Sequence, residues 1–510
     1  MATGGVYSLI THDGEKDKKF IARDILIKHL NHVKMERTKR ALNIFKKKNQ
    51  SFTQKELDFL ITPTISDLTA THTFFKATEF KPFIPIMSDY RKIISNSGNT
   101  IGQVNTKLQF TMERLGDFVN DGVIHIKLPA IGNANGSVRY KYCDYPGMRL
   151  CSEVKLNIDG IIADTYTSDD YIMYKNFEVE DISGLSRSVG HSTPIRAKFY
   201  DPEKQLDEIR EVLVGYQTKK IIQPELDLWI PLIFWFNKSP EEALPTLRME
   251  TLQKYIEIHT AKITDIIKAY DLADNEIPLP FSEIIMKKCE LYLNNLHVMP
   301  EVVDIYQKNL SSNVVRQFKR SQAIQSRATG EKSILADLSA AIEYMYIGFR
   351  PVSNLDDFEA WHKFMLITPN TFLIPVMIKN GVNPPFLVWR DMIYKTESLP
   401  VDNFSLKVDN SYFFEDSSFH LVDQHIPQIG YMHGNTTTPE DQGIALISFT
   451  HKTNNINPTG YLNASRLREF IFSWKDTNIT PSTPVELFIS AKTLNVLLLD
   501  GKTAIMKFIS

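Results

Sequence analysis

Strict alternation of apolar and polar side chains dominates the first third of the chain. Lys107-Leu108-Gln109-Phe110-Thr111-Met112-Glu113 and Val154-Lys155-Leu156-Asn157-Ile158 alternate, and Ile124, Ile126 and Leu128 share one face, the period of two that marks a half-buried strand. Asp159-Gly160 between Ile158 and Ile161 predicts a tight hairpin, because glycine accepts the positive φ of a primed turn. Leu494 to Leu499, Asp500-Gly501 and Thr503 to Ile509 repeat the device, so the chain is expected to end as a buried hairpin. Helical spacing predicts helices at 202–214, 300–308, 314–325 and 354–365, the last begun by Asn354 as a cap. Loops are expected at 96–100, 132–137, 183–193 and 326–331.

The plan is written twice, about 200 residues apart, which points to duplicated domains rather than a short-repeat solenoid. Leu228-Trp229-Ile230-Pro231-Leu232-Ile233-Phe234-Trp235-Phe236 leads into Asn237, Ser239 and Pro240, then Thr246 to His259, then Leu291 to Leu293. Ile444 to Phe449 leads into Asn454, Asn455 and Pro458, then Leu467 to Trp474, then Leu487 to Ile489. Many strands with long decorated loops predict a mainly β protein of two packed sandwiches or barrels with helical insertions. At 510 residues the chain is long enough for two or three cores, since one core rarely grows past roughly 250 to 300 residues.

Thirty Phe and twenty Tyr agree with strands, on whose pleated surface such rings pack. No apolar run approaches the roughly 18 to 20 residues that span a bilayer, and the start of the chain has no charged segment followed by an apolar core; a cytosolic compartment is expected. Cys143, Cys151 and Cys289 are too scattered for a disulfide framework or a zinc site, and buried free thiols are the favoured reading. Eight N-x-S/T sequons carry no meaning without secretion. Charge is uneven: residues 1–50 hold twelve Lys or Arg and five Asp or Glu, a balance of +7 in a chain of net −2. The arm either meets an acidic surface or docks beneath the acidic body of its own chain. Phe20 to Leu30 has helical spacing, and Thr53 with Glu56 predicts a capped helix before Leu57.

Catalytic signatures fail on inspection. Asp500-Gly501-Lys502-Thr503 resembles the tail of a phosphate loop, but Val496 stands where its upstream glycine is needed, so a turn is expected. Gly184-Leu185-Ser186-Arg187-Ser188 lacks the final glycine of a nucleophile elbow. His420, Asp423, His425 and His433 are the best metal candidates, yet they lack the close histidine pair of jelly-roll metal enzymes, and surface histidines are the favoured reading. His125, between Ile124 and Ile126, is expected to point to solvent or meet a backbone group. Trp229, Trp235 and Phe236 could stack a ligand, but a run apolar at both parities favours a strand buried on both faces. Arg316, Lys319, Arg320 and Arg327 are expected on a solvated helix face. No catalytic, cofactor-binding or metal residue is assigned, and no enzymatic role is expected.

Several passages carry a more specific likeness: Met1 to Gly5, Asp13-Gly14, Phe80-Lys81-Pro82-Phe83-Ile84-Pro85, Tyr142-Cys143-Asp144-Tyr145-Pro146-Gly147, Leu228 to Asn237, Ala243-Leu244-Pro245 and Leu291 to Asn295. Ile342 to Gly348, Trp361-His362-Lys363-Phe364, Pro458 to Arg466, Arg468-Glu469-Phe470 and Leu497 to Phe508 continue it. In their order and spread these resemble the major capsid proteins of the nucleocytoplasmic large DNA viruses, and the chain is most similar to the African swine fever virus type. The resemblance implies a tandem double jelly roll: a basic arm or base at 1–73, a first jelly roll at 74–305 and a second at 306–510. It further implies a homotrimer forming a pseudo-hexameric capsomer of an icosahedral shell. Expected partners are other copies, minor capsid and penton proteins, and an internal viral membrane reached by the arm, without sequence-specific nucleic acid binding or a cofactor. The expected location is the virion, with the host cytoplasm or viral factory during assembly. The segments between Met112 and Tyr142 and between Pro194 and Leu228 are shorter than the family's long loops there, while Lys34 to Lys48 is additional. Two other classes fit two jelly rolls: a bicupin-like metal enzyme and a membrane-templating scaffold absent from the mature particle.

Overall fold

The computed structural model describes residues 86–113, 115–192, 194–201, 206–213, 215–309, 312–378, 386–399, 401–426, 436–453, 455–475 and 478–508, with Met35 and Lys39. The expectations for the basic arm and for the 53–60 helix lie outside the described residues.

Eight strands build a first sandwich: β1 (Ile86–Ile94), β2 (Lys107–Thr111), β3 (Phe118–Leu128), β4 (Cys151–Ile158), β5 (Ile161–Thr167), β6 (Leu226–Pro231), β7 (Lys254–Thr260) and β8 (Lys288–Val298). Eight more build a second: β9 (Ser312–Gln325), β10 (Thr329–Ser333), β11 (Ala341–Pro351), β12 (Asn403–Val408), β13 (Ser411–Ser418), β14 (Ile444–Ser448), β15 (Phe470–Lys475) and β16 (Val485–Leu499). The first sandwich has sheets β1-β8-β3-β6 and β2-β7-β4-β5; the second has β9-β16-β11-β14 and β10-β15-β12-β13. Adding eight to each label turns one order into the other. The duplication read from the sequence is therefore a duplication of topology, antiparallel throughout these sheets.

Alternation explains the cores. Ile124, Ile126, Leu156, Ile158, Ile256, Ile258 and Leu291 fill the first, and Met345, Ile347, Phe349, Leu406, Phe472, Leu487 and Ile489 the second. Burying each such side chain is worth about 1.5–3 kcal/mol. Both predicted hairpins form. Asp159 and Gly160 take φ of +54° and +79°, and Gly501 takes +89° between β16 and the short strand Ala504–Met506. The three cysteines are buried and free.

Several local expectations are overturned. Residues 206–213 form a strand paired with Pro194–Asp201, not a helix; eight residues are too few for apolar spacing to separate the two periods. Residues 314–325 lie in β9, paired along its whole length with β16, a partner invisible in the local pattern. Asn354 caps no long helix: only Val352–Leu355 is helical, and its buried amide donates to the carbonyls of Lys363 and Met365, both at 3.0 Å, tying down a loop. The expected loop after Asp181 contains a helix instead. In chain order the helices that matter are α1 (Ser168–Glu178), α2 (Ile182–Ser188) and α3 (Pro300–Asn309), the last as expected. No helix among the described residues is long and apolar enough to cross a membrane.

Candidate functional site: the seam between the sandwiches

The face of sheet β9-β16-β11-β14 turned away from its own core is covered by the first sandwich. β11 is accordingly buried on both faces. Met345, Ile347 and Phe349 enter the second core, while Tyr344 and Tyr346 join the cluster that is continuous with the first. Gly348 permits close packing, because a Cβ there would lie 2.4 Å from the Phe364 ring and 3.1 Å from Met173.

Helix α1 is the main lid on this face. Thr167 and Asp170 form a capping box at its start, with the Thr167 N–H donating to Asp170 at 2.8 Å. Buried Asp170 also accepts from Ser490 at 2.5 Å and Arg320 at 2.9 Å, so one carboxylate caps the helix and bridges the seam. Arg350 grips Asp169 with both guanidinium nitrogens, at 2.7 and 3.1 Å, and donates to Glu486 at 2.6 Å. Paired, planar contacts of this kind fix orientation as well as energy. At the far end Phe177 stacks on Tyr346 at 5.4 Å, and Glu178 accepts from Lys238 at 2.5 Å, Tyr344 at 3.1 Å and Tyr346. Burial alone would raise the Glu178 carboxyl, but the Lys238 and Lys492 ammonium groups bring it down to about 2.

Lys492 is the centre of the seam. It is fully buried, its ammonium 3.2 Å from the centroid of the Phe318 ring, a desolvated cation–π contact. Burial lowers its affinity for the proton, opposed by Glu178, Asp164 and Asp170. Asp164 meanwhile accepts from the Phe318 backbone N–H at 3.1 Å, and Gln317 donates to the Ala163 carbonyl at 2.6 Å. A second cluster lies beside α1: Tyr145 stacks on His191 at 4.0 Å, accepts from Lys175 at 2.8 Å and meets the edge of half-buried His362 at 4.9 Å. Burial and then the Lys175 charge push His191 down to about 4 and hold His362 well below its usual value.

The residues singled out in the sequence fall in other places. Arg316 and Arg320 do not lie on a solvated helix: Arg316 is buried against Glu343 at 2.6 Å and Glu242, and Arg320 holds Asp170. Lys319 reaches the Ser339 carbonyl, and Arg327 stands exposed in the turn after β9. His125 is not solvent-facing; it is 3 % exposed, stacked on Trp229 at 3.9 Å and bonded to Asp227 at 2.8 Å. The apolar run is not a strand buried on both faces either. β6 ends at Pro231 with Trp229 on its outer side, and Leu232 to Phe236 turn inward, burying Trp235 and Phe236. Asp500 accepts from the Lys502 and Thr503 N–H groups as a plain hairpin turn, and Ser186 is buried in α2. His420 and His425 flank a helical turn, Leu421–His425, while His433 lies outside the described residues. No cluster of three or more His, Cys, Asp or Glu among the described residues could hold a metal ion. Local pattern reasoning missed Glu178, Asp170 and Lys492; a lysine at the centre of the otherwise largely apolar β16 was the available signal.

Two eight-stranded sandwiches of one order, locked by a buried polar seam, define a tandem double jelly roll. Residues 91–279 match the family model described as the major capsid protein N-terminus. The chain is 24% identical to the hexon protein p72 of African swine fever virus (isolate Tick/Malawi) over a 673-residue alignment covering all of both chains. It is also 24% identical to the major capsid protein of Phaeocystis pouchetii virus, over 36% of each chain. Among solved structures the Faustovirus major capsid protein superposes with a TM-score of 0.69 at 22% identity, covering 92% of this chain and 98% of that one. The PBCV-1 virus capsid protein does so at 0.60 and 15%, covering 86% and 100%. The chain thus has the double jelly-roll fold, and it resembles the major capsid proteins of large DNA viruses. Its likeness to the African swine fever virus proteins runs over the full length of both chains, in keeping with the spread of the resembling motifs along the sequence.

Proposed function

We propose that three copies associate into a pseudo-hexameric capsomer, and that these capsomers tile an icosahedral shell in the virion. The observation that carries this reading is the repeated strand order joined by a seam too polar and too buried to slide: three chains then offer six near-equivalent sandwiches. Large interfaces and closed symmetry, rather than a catalytic constellation, are what a shell subunit needs. Residues 74–305 and 306–510 are assigned to the two jelly rolls and 1–73 to an inner arm. Its surplus of +7 over residues 1–50 suits anionic lipid of an internal membrane or acidic minor capsid and penton proteins. Assembly in the host cytoplasm or a viral factory belongs to the same reading.

Light scattering on the purified full-length chain tests it. The expected mass is three times 58.6 kDa; a single-chain mass at high concentration contradicts it.

A further inference from the structure

The first sandwich carries a cavity at the end where β1 enters it. About 510 Å³ in volume, it lies between the turn leaving β2 and the segment 246–254 that leads into β7. Buried Met112 and Leu252 give it an apolar wall, while Glu113 and Glu250 stand exposed at its rim with half-buried Asp117. Lys254, the basic group of this lining among the described residues, is turned inward. Its ammonium donates to the carbonyl of Met249 and to that of Leu252 at 3.0 Å, and burial weakens its hold on the proton. Its charge is therefore held inside the loop, and the rim stays acidic.

The chain reaches this cavity directly from its basic arm. β1 starts at Ile86 opposite Val298, and the Val298 N–H donates to Asp117 at 2.8 Å, so the residues before Ile86 join the sandwich beside the acidic rim. Within the arm, residues 34–48 hold seven Lys or Arg against one Glu, around Leu42, Ile44 and Phe45. A basic segment with an apolar centre matches an apolar cavity with an acidic rim in both respects. The charge balance agrees: a net −2 for the chain and +7 for residues 1–50 leave −9 for the rest. The 37 residues 49–85 are tether enough for the segment to fold back, and a tether of this kind sets an effective concentration on the order of millimolar, at which modest contacts suffice.

We infer that this cavity seats residues 34–48 of its own chain, with Leu42, Ile44 and Phe45 against Met112 and Leu252 and the basic side chains on Glu113, Asp117 and Glu250. The inference rests on the reading of the arm as an inner, basic element and adds its regulation. An unassembled chain masks its own basic segment, and an anionic surface must compete with the cavity to take it.

Carbodiimide coupling, which joins a carboxylate to an amine in direct contact, tests it on the full-length chain with peptide mass spectrometry. Glu113 or Glu250 is expected to be joined to Lys34, Lys39, Lys46, Lys47 or Lys48, and in a mixture of isotopically light and heavy chains each joined pair is expected to be of one isotope. Two variants remove opposite halves of the contact, Glu113→Gln with Glu250→Gln at the exposed rim and Phe45→Ser in the arm, and thermal melting verifies that each is folded. Both are expected to lose the links and to be cut by trypsin within residues 34–48 about tenfold faster or more, since cleavage follows the population of the open form. Links that are absent, or that run only between light and heavy chains, overturn the inference, as does equally fast cleavage of wild type and variants. Phosphatidylcholine vesicles containing phosphatidylserine are expected to bind the chain and to diminish the links; a chain that shows the links yet binds no such vesicle fails the lipid reading of the arm and leaves the docking standing.

Discussion

Lys492 and Glu178 matter for where they sit. Each is a buried charge whose opposite charges come from the other sandwich or the adjoining turn, and removing one partner of such a set typically costs about 3–5 kcal/mol. Glu178→Ala is therefore expected to lower unfolding stability by about that amount in denaturant titrations, since Lys238 and two tyrosine hydroxyls lose their acceptor. The histidine cluster adds a pH dependence. His191 sits at about 4 in the folded chain against a usual 6.5, so the unfolded chain binds more protons between those values and stability falls as pH drops through them. Asp144 and Asp441, raised by burial to about 6, act in the opposite sense over part of the same range. The difference between wild type and His191→Phe isolates the histidine: the variant should gain relative stability from pH 6.5 towards 4, and a constant difference would contradict the assignment. None of this was legible locally, because partners that lie far off in the sequence leave no mark on a side chain's own neighbourhood. His125 is the clearest case, an alternating position that looks solvent-facing yet lies under Trp229.

At the scale of elements, what could be read was whatever depends on neighbours in sequence. The turns at Asp159-Gly160 and Asp500-Gly501 were legible because positive φ is a property of the residue. So were β2, β3 and β4, whose inner and outer faces alternate. β9 was not, since its fourteen residues become a strand only by pairing with β16. The run from Leu228 to Phe236 failed for a related reason: its second half fills the seam as a turn, so apolar character there reports a covering role rather than a two-faced strand. Gly348 marks the same crowding from the other side. Gly348→Ala is expected to destabilise by about 1–3 kcal/mol through overpacking, read as a lowered denaturation midpoint, while an unchanged midpoint would mean that α1 and Phe364 are free to withdraw.

For the whole molecule, the doubled pattern was legible at once but its geometry was not. Repetition in the sequence announces two similar domains; the way they are joined comes from the polar seam, which fixes one sandwich against the outer face of the other. Among the described residues such a chain has a direction, with exposed Tyr90 and Trp229 at one end and exposed Tyr412 and Phe413 at the other. On the proposed trimeric reading, three such chains set six similar sandwiches around a ring. Electron microscopy of the purified full-length protein tests it most directly. The account predicts a closed three-fold particle with six similar lobes and a nearly hexagonal outline. A two-fold dimer, an open filament or isolated two-lobed chains at high concentration would contradict it.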